Sequence, residues 1–414
     1  MSLHTPKILG IIRIEITGRR EMKDKPMPVK KYRQNRQKEV AFLLEGSNKY
    51  ARSILNGAQK YLSEQTNWSV FLRERDKDWL NLQDLLKWEG DGIFARIETK
   101  EMAEFIKKKQ LPSVDLSAYR LLPDVPFFEN NDRSIAKLGA DHLISKGVKN
   151  FAFCGYSKYI WSRKREEAFR EFVEKEGCYY FFDTMGYGRL GIDERIAMSN
   201  WVKGLPKPVG IMVCHDRLGL QLLEACRMAE IYVPESVAVL SVDNDDIICE
   251  LCTPTLTSII LNANTIGYQA TKFLDRLMNG EKITQYEHRF DPLGIKVRQS
   301  TDILATNDVV VTNALRIIKN NACHGIKVSD VLEAVPLSRR AFEKRFYKVV
   351  GRTPHEEILN VKMNLIKRLL TETELSLEEI ANRSGYPHPE YMSVVFKREF
   401  SVTPSEYRKS NTVF

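Results

Sequence analysis

Residues 327–408 hold the same pattern twice, and a duplicated short unit narrows the fold more than any other feature of this chain. The first copy reads Val328-Ser-Asp-Val-Leu-Glu-Ala-Val335, breaks at Pro336-Leu337, and resumes Ser338-Arg-Arg-Ala-Phe-Glu-Lys-Arg-Phe346. The second runs from Leu377 to Ser384, breaks at Gly385-Tyr386-Pro387, and resumes from His388 to Phe396. Thr353-Pro354 follows the first copy and Thr403-Pro404 the second, fifty residues apart, as Phe346 and Phe396 are. Val331 and Ile380 are forty-nine apart, so one residue is inserted in the second turn. Repetition at a fixed period marks a duplicated supersecondary unit.

Each unit is predicted as helix, tight turn, helix. Val328, Val331, Leu332 and Val335, then Phe342 and Phe346, recur at helical spacing, and Ser338 suits the cap of the second helix. With Leu337, Phe342 and Phe346 inward, Arg339, Arg340, Glu343 and Lys344 lie on the outer face. A helix-turn-helix sets that face in the major groove of double-stranded DNA, and a second unit can reach the next groove, roughly 34 Å away.

Residues 308–410 resemble the AraC/XylS class of DNA-binding domain, with two such units joined by a long helix from Pro354 to Thr371. Tyr386, Phe396-Lys397, Thr403-Pro404 and Tyr407-Arg408 stand in that family's order. The resemblance places base contacts at Arg340, Glu343 and Lys344, and at Glu390, Tyr391 and Val394, with Arg339 and Lys397 beside them. It gives Arg345 a bracing or phosphate-contacting role. Two positions depart from the pattern: Ser401 stands where the family has Gly, and Val394 cannot hydrogen-bond a base. The second helix is therefore expected to read thymine methyls and backbone.

At 414 residues the chain has room for two or three domains. The net charge of +9 is uneven: residues 1–38 carry 11 Lys and Arg against 3 acids, whereas the central body is slightly acidic. Affinity for phosphate therefore belongs to the ends. Residues 1–38 read as a basic extension, a disordered arm from Arg19 to Lys38, that touches DNA unless the true start is Met22 or Met27. Arg13 and Glu15 interrupt the apolar stretch Ile8–Ile16, so it does not read as a signal peptide, and no run approaches a membrane span. Seven scattered cysteines are expected as reduced thiols in the cytoplasm. Cys249 and Cys252 have metal-pair spacing but lack a second pair or nearby histidine, so buried thiols are expected, with no metal and no cofactor.

From 39 to 300, strand-like runs alternate with amphipathic helices. Val40–Leu44, Ser69–Leu72, Gly92–Ala95, Phe151–Cys154, Gly210–Cys214 and Val237–Val242 are the runs, and the alternation predicts an α/β body with mostly parallel sheets. Ligands on such sheets bind beyond the carboxyl ends of strands. There the sequence offers Tyr50, Arg96, Trp161, Arg165, Asp216 and Asp243. Carboxylates and guanidinium groups pair with hydroxyls, and an aromatic ring packs on the apolar face of a sugar. An aspartate after a strand equally serves as a cap or turn residue. Trp161 equally suits the core, and Tyr50 and Arg96 a hinge.

Cys214-His-Asp216, Ile231–Asn244 and Pro254–Ile259 resemble the sugar-sensing core of LacI-type repressors, a two-lobed body like the periplasmic sugar-binding proteins. Arg165 matches that core's ligand-binding arginine, and Asp216 and Asp243 match its pocket acids. His215-Asp216 replaces the usual Asn-Asp, and Asp243-Asn244 the usual double Asp. LacI-type proteins carry their DNA-binding unit first; here it is last. That order resembles the XylR family of xylose operon regulators, over residues 39–410, through Tyr50-Ala-Arg52, Phe151–Gly155, Trp161-Ser162, Cys323–Val328 and Gly385-Tyr-Pro387. The resemblance implies a sugar-responsive transcriptional regulator that activates pentose catabolism. D-xylose is its first candidate effector, an operator, a homodimeric partner and RNA polymerase its other contacts. Two alternatives use the same residues: a ligand-independent regulator with a degenerate pocket, and an enzyme acting on a sugar through Asp216 and Asp243.

Overall fold

The computed structural model describes residues 37–73, 86–184, 191–282, 284–302 and 308–411. All but Gln37 and Lys38 of the expected basic arm lie outside them. The first lobe is a parallel sheet of β1 (Glu39–Leu43), β2 (Ser69–Arg73), β3 (Gly92–Ala95), β4 (Ser113–Asp115), β5 (Phe127–Asn130) and β11 (Glu287–Phe290), in the order β11-β5-β4-β3-β1-β2. The second has β6 (Asn150–Gly155), β7 (Cys178–Asp183), β8 (Val209–Val213), β9 (Val237–Val242), β10 (Thr257–Ile260) and β12 (Gly294–Lys296), ordered β12-β10-β9-β8-β6-β7. Only β12 is antiparallel there. The chain crosses between lobes after β5, after β10 and after β11, a geometry that leaves a cleft between two stiff bodies.

The six strands expected from apolar runs are present. Of the others, β5 and β11 escaped because their sequences do not look like strands: β11 is Glu-His-Arg-Phe, and β5 carries Glu129 and Asn130 into the interior. Glu129 is tolerated there because Arg120, Lys164 and Arg289 converge on it. Buried charge persists only where it is paired.

Helices α1 (Lys49–Gln65), α2 (Lys100–Lys109) and α8 (Ala263–Met278) cover the first sheet; α3 (Asp132–Ser145), α4 (Ile160–Val173), α5 (Ile192–Gly204), α6 (Asp216–Met228) and α7 (Asp246–Leu251) belong with the second. Asn48 caps α1 by accepting from the Ala51 amide at 2.8 Å. Phe42 stacks on Phe94 at 4.5 Å in the first core, and Phe151, Phe153, Ile211 and Val239 are fully buried in the second. Each such side chain contributes roughly 1.5–3 kcal/mol by leaving water. α1 and α8 touch backbone to backbone: a Cβ on Gly57 would lie 1.9 Å from the Asn264 carbonyl oxygen, and one on Gly267 1.9 Å from that of Ile54.

The C-terminal part is all helix: α9 (Val309–Asn321), α10 (Val328–Glu333), α11 (Arg339–Val350), α12 (Pro354–Glu372), α13 (Leu377–Arg383), α14 (Pro389–Phe400) and α15 (Pro404–Asn411). It has two cores. Val331, Phe342 and Phe346 pack with Val311, Leu315 and Ile318 of α9, while Ile380, Met392 and Phe396 pack with Ile366 and Leu370 of α12. The repeat extends to the caps: Thr353 with Glu356, Ser376 with Glu379 and Thr403 with Glu406 exchange hydrogen bonds in the reciprocal box that satisfies first-turn amides. The inserted turn residue is accommodated at Gly385, whose φ is 71° and whose missing Cβ would sit 2.4 Å from the Cys323 carbonyl oxygen. Ser401 takes the left-handed conformation, φ 62°, that Gly351 supplies in the first copy. Among the described residues no helix is long and apolar enough to cross a membrane.

Candidate functional site

Tyr50, Arg96, Trp161, Arg165, Asp216 and Asp243 all line one cavity between the lobes. Each owes its place to a strand end. Tyr50 opens α1 after β1 and Arg96 follows β3; Trp161 and Arg165 lie one turn apart on α4 after β6; Asp216 opens α6 after β8, and Asp243 follows β9. The parallel strands of each lobe point these ends at the cleft.

Arg165 is 5% exposed and held from two sides. Its Nε donates to Asp132 Oδ1 at 2.7 Å and its Nη1 to the Cys214 carbonyl at 2.8 Å, and the Trp161 ring lies 5.2 Å from the guanidinium carbon. Burial pushes the Asp132 carboxyl above its ordinary value, with Arg165 pulling the other way. A buried pair of this kind fixes the direction in which the guanidinium presents its remaining N–H groups.

The two aspartates differ. Asp216 accepts from Ser258 Oγ and from the Asp245 amide, each at 2.6 Å, so both oxygens brace the second lobe, and burial pushes its carboxyl up to about 6. Among the described residues no such partner reaches the Asp243 carboxyl, which lines the cavity from a residue with a positive φ of 107°. Burial, then the neighbouring Asp216, pushes it up to about 8 against the pull of Arg165. Burial also pushes the Tyr50 phenol up to about 12 and the His215 ring down to about 3, which keeps both neutral near neutral pH. His215 Nδ1 accepts from the Leu218 amide at 3.2 Å, so Nε2 carries the ring proton. Arg96 pairs with Glu98 at 2.6 Å and lies 5.6 Å from the Tyr50 ring centre.

Asn130 and Asp132 line the same cavity and were missed by the sequence reading. Asn130 is 8% exposed, and its Oδ1 has no hydrogen-bond partner among the described residues. The signal was present, since Glu-Asn-Asn-Asp sits between two apolar stretches, but β5 was not recognised as a strand. The mouth of the cleft is bridged by ion pairs: Lys49–Asp246 at 3.8 Å and Arg52–Asp245 at 3.7 Å on one side, Lys164–Glu129 at 3.2 Å on another. The lining offers hydroxyl groups acceptors at Asp243 and Asn130 and donors at Arg165, beside apolar Leu116 and Ile248.

Among the described residues no cluster of His, Cys, Asp and Glu could hold a metal ion. Cys249 and Cys252 are buried thiols, and burial pushes that of Cys252 up to about 12.

On the C-terminal helices, Arg339, Arg340 and Lys344 are exposed along α11, and Glu390, Tyr391, Val394 and Lys397 along α14. Arg339 pairs with the half-buried Glu343 at 2.9 Å. Tyr391 and Val394 are 60% and 66% exposed, an unusual apolar showing on a helix that is otherwise well packed. Arg345 pairs with Asp308, the N-cap of α9, and so ties α11 to α9.

Comparison with known proteins agrees with this layout. Family models match residues 39–129 (XylR N-terminal domain), 140–301 (periplasmic binding protein-like domain) and 331–410 (helix-turn-helix domain). The xylose operon regulatory protein of Escherichia coli K12 is 33% identical over 90% of this chain and 97% of its own length. That of Haemophilus influenzae is 31% identical over 89% and 97%. A solved structure described as the xylose-binding transcription activator xylR matches with a TM-score of 0.78 at 31% identity, over 91% of this chain and 99% of that one. With a two-lobed sensor ahead of a duplicated helix-turn-helix, this chain belongs to the family of xylose operon regulatory proteins, sugar-responsive DNA-binding regulators of transcription.

Proposed function

We propose that this protein is a cytoplasmic activator that binds D-xylose between its lobes and responds by changing how its DNA-reading helices are presented. The observation that carries the reading is the convergence of six strand-end side chains on one interlobe cavity, on a chain that ends in two helix-turn-helix units. Residues 39–300 form the sensor in this reading and 308–410 the reader. Asp243 and Asn130 accept from sugar hydroxyls, Arg165 donates to them, and Trp161 packs on the apolar sugar face. Tyr50 and Arg96 close the cavity from the first lobe, while Asp216 holds the second lobe in register. Arg340, Lys344 and Glu343 read bases from α11; Glu390, Tyr391 and Val394 read from α14, with Arg339 and Lys397 on phosphates. Two protomers would bind two half-sites and recruit RNA polymerase.

The reading is of a binder, not an enzyme. Each oxygen of Asp216 already accepts one hydrogen bond, from Ser258 and from the Asp245 amide, which suits a brace of the second lobe better than one half of an acid–base pair. The test is a thermal-shift screen of pentoses and hexoses on the purified protein, followed by DNA binding with and without the hit. A ligand that binds only the folded state adds RT ln(1 + [L]/Kd), about 2.7 kcal/mol at a hundredfold excess over Kd. D-xylose alone should shift the transition. A shift with a different sugar changes the effector; no shift with any sugar refutes the sensor assignment and leaves a ligand-independent regulator. Turnover of a sugar would refute the binding-only reading.

A further inference from the structure

Two structural routes leave the cavity wall at Asp216 and meet at a single ammonium group on the DNA-reading half. The first is α6. Its opening turn carries Asp216 at the cavity, and its 13 residues span about 20 Å at 1.5 Å each. Past its end, Ile231 donates its amide to the Cys226 carbonyl at 2.9 Å and Ser236 to that of Tyr232 at 3.0 Å, which pins the segment before β9. From this segment Tyr232 packs 4.7 Å from the guanidinium carbon of Arg316, and Glu235 pairs with Lys319 at 3.3 Å, both on α9.

The second route is β10. Ser258 donates to Asp216, and its neighbour Thr257 holds the segment that follows β12. The Thr257 amide donates to Ser300 Oγ at 2.8 Å, and its hydroxyl donates to the Arg298 carbonyl at 3.0 Å while accepting from the Arg298 amide at 2.8 Å. That segment reaches Asp302, whose carbonyl accepts from Lys319 Nζ at 2.6 Å. Lys319 therefore bonds the ends of both routes at once. On its other side it belongs to α9, whose Val311, Leu315 and Ile318 share a core with Phe342 and Phe346 of α11. Arg345 ties the same two helices through Asp308.

We propose that Lys319 is the positioning residue that makes the DNA-reading half follow the sensor's second lobe, so that sugar occupancy is felt by α11. The proposal rests on the sugar-sensor reading above. The Lys319 and Glu235 side chains are 25% and 10% exposed, so the pair is screened less than Lys49–Asp246 at the cleft mouth, 38% and 50% exposed. A movement of the second lobe that carries Glu235 and Asp302 cannot leave both contacts of one ammonium intact unless α9 moves with it. Coupling of this kind is a free energy shared by two sites, and it shows as a ligand-dependent ratio of affinities.

The test measures affinity for a DNA site selected in vitro by the wild-type protein, with and without saturating D-xylose, alongside D-xylose affinity itself. Full-length wild type, Lys319→Met, Lys319→Arg and Glu235→Gln are compared. Wild type should show a sugar-dependent ratio in the range usual for coupled sites, about 5–150-fold. Lys319→Met should bring that ratio to near one while sugar affinity and sugar-free DNA affinity stay as in wild type. Lys319→Arg, which keeps the charge, should retain most of the ratio, and Glu235→Gln should lower it. A full ratio in Lys319→Met overturns the proposal, and so does loss of its sugar-free DNA binding, which would mark a general brace. A wild type whose sugar affinity is absent overturns the sensor reading itself, a result distinguishable from either.

Discussion

Asp243→Asn isolates one carboxyl whose proton links the sensor's stability to its ligand. Burial and the Asp216 carboxyl push Asp243 up to about 8, whereas an unfolded aspartate titrates at about 3.9. Between those values the folded state holds a proton that the unfolded chain has released. Stability from this group is therefore fully present below about pH 4 and is lost as pH rises towards 8. The slope is about 1.4 kcal/mol per pH unit, so raising the pH from about 6 to about 7.5 removes roughly 2 kcal/mol. Asparagine keeps the shape, tolerates the positive φ, and has no proton to exchange. Urea unfolding of the empty sensor, followed by tryptophan fluorescence across this interval, should show the variant gaining roughly 2 kcal/mol on wild type as pH rises. Asp216 titrates in both proteins and largely cancels. If sugar hydroxyls donate to the ionised carboxylate, as proposed, wild-type D-xylose affinity should climb with pH, by up to about tenfold per unit, and the variant's should stay flat. Parallel pH profiles for the two proteins would refute the protonation argument.

Three further outcomes are expected. Arg340→Ala should weaken the cognate DNA complex by roughly 1–3 kcal/mol and relax the base preference at one position, and equal losses on cognate and random DNA would remove Arg340 from the base readers. Ser401→Gly relieves a left-handed serine at the end of α14 and should stabilise the C-terminal helices by about 1 kcal/mol, read as a raised Tm; a lowered Tm contradicts the strain at φ 62°. Gly57→Ala would force α1 away from α8, at a cost of about 1–3 kcal/mol or more, and should weaken sugar binding because α1 carries Tyr50; an unchanged Tm and affinity would contradict the close approach.

The C-terminal half was the more legible. Its helices are local objects, set by apolar spacing, by Thr-Pro and Ser-Leu starts with a glutamate three positions on, and by turn residues such as Gly385. The repeat stated each rule twice, so even Ser401, an exception to the glycine rule, was visible against Gly351. In the sensor six strands announced themselves as apolar runs, but β5 and β11 did not, because each carries charged side chains whose partners are supplied by other parts of the fold. Asn130 and Asp132 were lost with β5.

From the residues alone followed the fold class, the sensor-then-reader order, and six strand-end side chains worth examining, since strand polarity places such residues at one edge of a parallel sheet. Tertiary structure decided what each one faces. It spent both oxygens of Asp216 on Ser258 and Asp245, buried Asp132 beneath Arg165, and brought Glu235 and Asp302 to the same lysine. These partners lie 17 to 84 positions apart in the chain. Local sequence encodes periodicity and caps because they depend on neighbours a few residues away; the pairing of buried charges depends on how whole layers pack, and no window of sequence contains both partners.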